Sequence, residues 1–549
     1  MSIWHHVYDS AHFNARRSWH DEWEAQGLRI RGGLYEEILA GVARSPKSPL
    51  VFGSSSHPAK TTLGEIVAEG DRVAAGMHGL GLRAGDVLVF QMPNWRESLS
   101  TMIAALRLGV VLVPVVHIYG PAELGFILRE TRAKALMLPS RWRKIDYSIR
   151  LAELGDTPDL EHVIVLGDEP MGRTTVSWRD LLNSEGDAPV HRSRPDDLSM
   201  MNFTSGTTAA PKGVLHSHAS LAAEARGMWP GSVDGFEPSA GHLPLGTGPG
   251  GHIASIISAL RPLIVGEGAI CMDQFDGPLL MELLEQHDVR RYGGAPYTIA
   301  YLLENAPIEK IRRLAAMSSG GAGVPPALIH AADAHGIPMV RMYGSTEHPT
   351  ITACAYDDPL EKRANTDGRL LAGCQFRIVD EEGHLLPPGS PGEIESIGPE
   401  MCLGYLDPAL NTEAFAADGW FRTGDIGVVD ADGFLAIVDR KKDIIIRGGE
   451  NISSKEVEDT LASHPSVVEA AVVPWPDRIY GERVGAFVKL KSGAAIDIAS
   501  IADHFAAAGL ARQKTPERLV IVEEFTRTPF GKILKRDLRL QIPVEADHD

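Results

Sequence analysis

The chain has 549 residues, 53 Lys and Arg against 72 Asp and Glu, and a formal charge of −19. With 44% hydrophobic and 23% charged residues it can bury large cores, which excludes a disordered chain or a small stapled scaffold. The acidic balance argues against a nucleic-acid binder while leaving room for a locally basic phosphate pocket.

Length predicts roughly three or four domain-sized units. Cys271, Cys354, Cys374 and Cys402 form no CxxC pair, so the spacing signals neither a zinc knuckle nor a dithiol site and suits a reducing compartment. The first residues lack the apolar run of a secretory leader, and no stretch reaches the length of a membrane span. A cytoplasmic protein without a membrane span is expected. Oligomeric state is not readable from the pattern, and a homodimer is compatible with it.

In chain order, the first forty residues, rich in His, Arg and Trp, predict an irregular arm with one helix in GLYEEILAGVA. Thr62 and Glu65 have capping-box spacing and open a helical stripe through Leu63, Ile66, Val67, Val73, Ala74, Met77 and Leu80. DVLVF (86–90) and VVLVPVV (110–116) read as buried strands, with a helix between them for which Asn94 is the expected cap. PAELGFILRETRA then KALML, and LAELG then HVIVLG, repeat that rhythm. Such units build parallel sheets, so the fold class is α/β.

From Gly373 to Asp439 short strands punctuated by Gly, Asp and Pro predict a β-rich subdomain. After the charged run RKKD, the segments SSKEVEDTLASH, VVEAAVVP, RVGAFVKL, IASIADHFAAAGL and RLVIVEEF predict a small α+β domain. A boundary is placed near Lys442, giving an N-terminal domain over 1–441 and a C-terminal one over 442–549.

Four constellations carry chemistry. In MNFTSGTTAAPKGVLHSH, Thr204, Ser205, Gly206, Thr207 and Thr208 combine hydroxyls with a permissive backbone, and Lys212 follows. Such a loop can wrap phosphate oxygens. It is not a Walker A loop, since Pro211 and Gly213 occupy positions that motif reserves for Gly and Ser or Thr.

RMYGSTEHP follows the strand-like IPMV and so lies at a strand's C-terminal end, where α/β sheets bind ligands. There Tyr343 offers a face for a base, Thr346 a hydroxyl, and Glu347 a hard oxygen suited to Mg²⁺. In the TGD turn Asp425 is placed to accept from ribose hydroxyls, with Arg440 donating to the same sugar. In RTPFGKILKRDL, Lys532 follows Gly531 in a loop. Gly246, Gly248 and Gly251 also spell GxGxxG, but GHLPL before them is a poor strand and no acidic residue follows in the expected place, so a nicotinamide site is set aside.

Together, in this order, these motifs resemble the AMP-forming acyl-CoA synthetase superfamily over essentially the whole chain after residue 40. TSGTTAAPKG is similar to its phosphate loop, YGSTE to its adenine and Mg²⁺ motif, TGD and DRKKD to its ribose and hinge motifs, and PFGK to its catalytic-lysine motif. The resemblance implies a large N-terminal domain and a small mobile C-terminal one. It implies ATP and CoA as co-substrates, Mg²⁺ as cofactor, and a small carboxylic acid that is first adenylated and then passed to CoA.

It further implies that Lys532 reaches the reacting phosphate, that Thr346 and Glu347 serve phosphate and metal, and that Gly320, Gly321 and Ala322 line the base and acyl pocket. Lys442 would be the hinge, and Arg447, Gly448 and Gly449 would meet CoA. Two departures stand out. Ala209 replaces a glycine usual in the phosphate loop, and Gly246 follows Pro244-Leu245 where an aromatic or His is common.

The acyl-pocket segments 246–260, 293–298 and 318–324 contain no Asp, Glu, Arg or Lys, and only His252 and Tyr297 are large polar-tipped groups. An apolar acid is therefore expected: alicyclic, aromatic or medium-chain fatty. The alternatives are an enzyme that loads a carrier protein or stops at the adenylate, and a non-catalytic adenylate binder. No carrier domain follows in the sequence, which points to free CoA.

Overall fold

A computed structural model describes residues 3–167, 175–184, 186–204, 211–227, 242–248, 250–447, 450–508, 510–528 and 531–542. The chain forms two compact units, Met1–Ala364 with Gly368–Phe376 and Ser396–Phe421, and Asn365–Asp367 with Arg377–Glu395 and Arg422–Asp549.

The first unit is built on two large sheets. In one, the strands Val87–Phe90, Val111–Pro114, Ala135–Pro139 and His162–Leu166 pair in parallel, and the antiparallel pair Leu198–Thr204 and Lys212–Ser217 extends it. Val87 to Phe90 are each at most 3% exposed, as expected of a parallel strand covered on both faces. The preceding helix Leu63–Gly79 starts as its sequence dictates: Glu65 N–H donates to Thr62 Oγ1, and Thr62 N–H to Glu65 Oε2 at 2.9 Å. Its stripe is buried from Leu63 to Met77, with Leu80 half-buried, and Gly70 lets Ile103 of the helix Arg96–Leu108 come so close that a Cβ would lie 2.6 Å from it.

The other sheet runs Arg369–Leu370, Thr352–Ala353, Met339–Tyr343, Ala316–Gly320, Val289–Gly293, Leu243–Gly246, Ala269–Met272, Pro49–Gly53, Ala59–Thr62.

Three local expectations are corrected. Asn94 does not cap the helix Arg96–Leu108, because Trp95 holds the N-cap position. Asn94 Nδ2 instead donates to the Gly248 and Met272 carbonyls at 2.7 and 3.2 Å, giving a partner to oxygens at the ends of two strands of the other sheet.

GHLPL proves to contain a central strand, since Leu243–Gly246 pairs in parallel with Val289–Gly293 and Ala269–Met272. A register shift between Leu243 and Pro244 accommodates the residue that has no N–H to give. The glycine at 251 serves packing: its φ is +87°, and a Cβ there would sit 2.6 Å from the Val115 carbonyl carbon.

The N-terminal arm is helical before Leu34–Arg44 as well, in His6–Asp9, Ala11–Ala15 and Arg17–Ala25. Its inward face mixes Val7, Phe13 and Trp23 with His12 and Arg16 across three short helices, so no apolar periodicity marks it. Buried Arg16 donates to the Cys402 and Leu403 carbonyls at 2.8 and 3.2 Å, and His12 stacks on Phe415.

The strands Gln375–Val379, Gly392–Ile397, Phe421–Val429 and Leu435–Arg440 form a four-stranded sheet. Beyond it in the second unit, the antiparallel pair Val467–Asp477 and Gly481–Leu490 is joined by Arg518–Ile521 in parallel and by Ile445–Arg447 and Glu450–Ile452. The helices Ser454–Ala462 and Ile498–Ala507 bury Val457, Leu461, Ile501 and Phe505 against it. Among the described residues no helix is long and apolar enough to cross a membrane.

Candidate functional site

In the first unit the expected residues gather at strand ends. Thr204 closes one strand and Lys212 opens the next, and the two face each other across the ladder. Ser205, Gly206, Thr207, Thr208 and Ala209 between them lie outside the described residues. Tyr343 ends the strand Met339–Tyr343, and its neighbour Met342 pairs with Gly320, at the end of Ala316–Gly320. A Cβ on Gly320 would lie 2.8 Å from the Met342 carbonyl, so that close approach needs glycine. Gly321 follows at φ +75°, and Ala322 is half-buried.

After Tyr343 the chain folds back sharply. Ser345 N–H donates to the His348 carbonyl and Ile351 N–H to the Tyr343 carbonyl. A Cβ on Gly344 would lie 1.9 Å from the Pro349 oxygen, which only a missing side chain avoids. This turn carries Thr346 and Glu347. The buried His216 donates Nε2–H to the Thr346 carbonyl at 2.8 Å, and burial pushes its pKa down to about 4, so it stays a neutral donor.

Glu347 is held by a residue that the motif reading missed. Tyr405 Oη donates to Glu347 Oε1 at 2.6 Å, and the Lys212 ammonium lies 6.0 Å from the centroid of the same ring. Burial, and then the Glu347 carboxylate, raise the Tyr405 phenol far above its ordinary value, so it remains a donor. Tyr405 is 58 residues downstream in an ordinary GYL segment, and only a long-range contact reveals it. An ammonium, a carboxylate, a hydroxyl and a half-buried aromatic ring thus occupy neighbouring strand ends. That is a donor set for a polyphosphate and its cation.

His252 caps the helix Ile253–Val265, accepting from Ala254 N–H, and burial pushes it down to about 4. Tyr297 stands on the helix Pro296–Asn305 with its ring edge-on to Phe275 and is 47% exposed. Nearby, a Cβ on Gly294 would fall within 2.7 Å of both the Thr298 and the Thr247 hydroxyl oxygens.

The second unit makes its own cluster. Asp425 and Arg440 face each other on paired strands, Arg440 Nε donating to Asp425 Oδ1 at 2.6 Å. Thr423 Oγ1 accepts from Asp425 N–H and fixes the turn. The Lys532 side chain is exposed as a whole. Burial first, then the Arg440 charge, pull it down to about 8, and Asp425 opposes them.

The turn bearing Lys532 is closed by Thr528 N–H to the Lys532 carbonyl at 2.7 Å, with Gly531 at φ +82°. Arg527 anchors that turn, donating to the Gly531 carbonyl and pairing with Glu469. Lys442 sits in the 3₁₀ turn Lys441–Asp443 and is shifted downward by burial and Arg440. Arg447 grips Glu517 through two nitrogens and lies over the Tyr480 ring. Gly448 and Gly449 lie outside the described residues.

The sequence matches the family model described as AMP-binding enzyme over residues 40–406 and the AMP-binding enzyme C-terminal domain over 456–532. It is 32% identical to the medium-chain fatty-acid–CoA ligase of Escherichia coli (strain K12), covering 89% of this chain and 87% of that one. It is 31% identical to the 2-hydroxy-7-methoxy-5-methyl-1-naphthoate–CoA ligase of Streptomyces carzinostaticus, covering 94% and 93%. Among solved structures it resembles ATP-bound MatB from Rhodopseudomonas palustris, with a TM-score of 0.81, 28% identity, and 93% and 99% of the two chains covered.

Proposed function

Because the chain belongs to the AMP-binding enzyme family and is an acid–thiol ligase, acting as an acyl- or aryl-CoA ligase, we propose that it adenylates a compact apolar carboxylic acid and passes the acyl group to CoA. The observation that carries this reading is the grouping of Lys212, Glu347, Thr346 and Tyr405 at neighbouring strand ends.

In the first half-reaction a substrate carboxylate oxygen attacks the α-phosphorus of ATP and pyrophosphate leaves. Lys212 and the hydroxyls of Thr204, Ser205, Thr207, Thr208 and Thr346, with Gly206 backbone, bind phosphate oxygens. Tyr343 stacks on adenine beside Gly320, Gly321 and Ala322. Asp425, backed by Arg440, accepts from the ribose hydroxyls. Lys532 donates to the oxygens on which charge builds.

Mg²⁺ fits Glu347, because a half-exposed carboxylate with a hydroxyl beside it is a hard oxygen donor set. When bound it would neutralise charge on the triphosphate. In the second half-reaction the CoA sulfur displaces AMP from the acyl carbon. Lys442 is the hinge that exchanges Lys532 for Arg447, Gly448 and Gly449 between the halves.

For the acid, support comes from the buried Ile253, Ile256 and Ile257 behind His252 and from the absence of charged residues in the three acyl segments. The name of the medium-chain relative agrees in kind. A panel of cyclohexanecarboxylate, benzoate, octanoate, palmitate and phenylalanine, read by pyrophosphate release and thioester formation, tests it. Preference for phenylalanine refutes the apolar acid. Pyrophosphate without thioester replaces the ligase reading by an enzyme that stops at the adenylate or uses a carrier. No acid-dependent pyrophosphate with any member removes the reading itself.

A further inference from the structure

Behind the turn that carries Glu347, and wholly within the first unit, three potential metal ligands from distant parts of the chain meet in the interior. They are His348, Cys374 and Glu400, at 0%, 5% and 4% exposure. Cys374 Sγ lies 2.8 Å from Glu400 Oε1 and 3.8 Å from His348 Nε2, and one donor atom from each residue falls within 4.8 Å of the others. Two ligands of a tetrahedral zinc ion, with bonds of about 2.0–2.3 Å, are about 3.3–3.8 Å apart, so small side-chain adjustments suffice.

Two further observations point to a ligand. Glu400 Oε2 is buried and has no hydrogen-bond partner among the described residues, which is costly for a carboxylate unless something else meets it. Gly398 leaves space over the same two atoms. A Cβ there would lie 2.6 Å from His348 Nε2 and 2.9 Å from Cys374 Sγ, so any side chain would crowd both. The orientation of the imidazole is also set: His348 Nδ1 is 2.9 Å from Ser396 Oγ, which leaves Nε2 facing the sulfur.

We propose that His348 Nε2, Cys374 Sγ and the Glu400 carboxylate bind one zinc-class divalent ion. Thiolate and imidazole select such a metal over Mg²⁺, so this ion is distinct from the one proposed at Glu347. Binding releases the thiol proton, and that of a protonated Glu400, to solvent. No electron moves. One thiolate and one carboxylate neutralise the dication, the charge balance a buried site requires. Glu224 stands next to the ligands, its Oε1 accepting from Thr350 Oγ1 at 2.6 Å, while the Thr350 carbonyl lies 3.7 Å from Cys374 Sγ. The ion would add a further link between the turn bearing Glu347 and the segments of Cys374 and Glu400, beside the Cys402 N–H bond to the Glu347 carbonyl at 2.8 Å.

The full chain, produced in minimal medium containing Zn²⁺ or Co²⁺ so that metal is present as it folds, is then dialysed. About one ion per chain is expected by elemental analysis, and the cobalt form should show thiolate-to-metal charge-transfer absorption. Cys374→Ser, Glu400→Gln and Gly398→Ala should each lower the metal content about tenfold or more, whereas Cys354→Ser should leave it unchanged. Wild-type protein that folds with metal content below about a tenth of an ion per chain overturns the proposal, as does a thiolate band that survives in Cys374→Ser. If Cys374→Ser fails to fold, the wild-type content and the nearly isosteric Glu400→Gln decide.

Discussion

Replacing Tyr405 by Phe removes one hydroxyl and keeps the ring against which Lys212 lies. In the wild type that hydroxyl donates to Glu347 Oε1 at 2.6 Å, and Tyr405 is only 6% exposed, so water does not readily take its place. A hydrogen bond to a charged group contributes about 1.5–3 kcal/mol, and the Tyr405→Phe change should cost that much where Glu347 acts. At about 1.4 kcal/mol per factor of ten, the expected loss is roughly 10- to 150-fold in kcat/KM for MgATP. The assay is acid-dependent pyrophosphate release at varied MgATP, with a thermal melt as control. Because the half-reaction that consumes a supplied acyl-adenylate does not need Glu347, thioester formation from it should be nearly unchanged. A variant within about threefold of wild type in kcat/KM, with an unchanged melt, would refute the claim that Tyr405 orients a working carboxylate.

Lys532→Ala should cut pyrophosphate release by orders of magnitude while supplied acyl-adenylate still gives thioester, and near-normal release sinks the assignment. Since the folded Lys532 loses its proton at about 8 rather than 10.5, adenylation should fall as pH rises through about 8, and Lys532→Arg should move that fall upward. Lys442→Pro fixes φ in the 3₁₀ turn and should spare adenylate formation while abolishing CoA transfer; equal loss of both, with a lowered melt, means misfolding instead. Gly344→Ala places a methyl carbon 1.9 Å from the Pro349 oxygen and should destabilise by about 1–3 kcal/mol and distort the Glu347 turn, read as a lower melt with weakened MgATP use. A variant with normal melt and kinetics would show that the turn relaxes freely.

What the sequence revealed, and what it hid, follows the range of the interactions. The Thr62 and Glu65 cap, the run Val87–Phe90 and the helix Ser454–Ala462 are set by neighbours a few residues away, and each forms as its pattern predicts. Asn94 departs from the capping role its position suggests because its side chain answers carbonyls at positions 248 and 272 rather than the adjacent helix end. Leu243–Gly246 is hard to recognise as a strand because a proline in a short run looks like a breaker until a register shift absorbs it. The arm's inward face carries Arg16 and His12, whose partners lie almost four hundred residues downstream. Tyr405 and Gly398 belong to no motif that the sequence displays, and Arg527 stands outside PFGK. Their importance lies in what they touch, which no spacing encodes.

The bond from Arg16 to the Leu403 carbonyl has a consequence for the nascent chain, because the two residues are 387 positions apart. At 5–20 residues per second, the acceptor leaves the ribosome roughly 20–80 s after the guanidinium does. The strands through Leu166 and Ser217 can pair during that interval, and Tyr8 and Arg29 of the arm can meet Asp196, but Arg16 still lacks the Cys402 and Leu403 carbonyls and Tyr405 is not yet made. The segment around Leu403 and Tyr405 is therefore among the last parts of the first unit to be assembled, and a truncation removing Arg16 would leave earlier-formed sheets standing while depriving that segment of its brace.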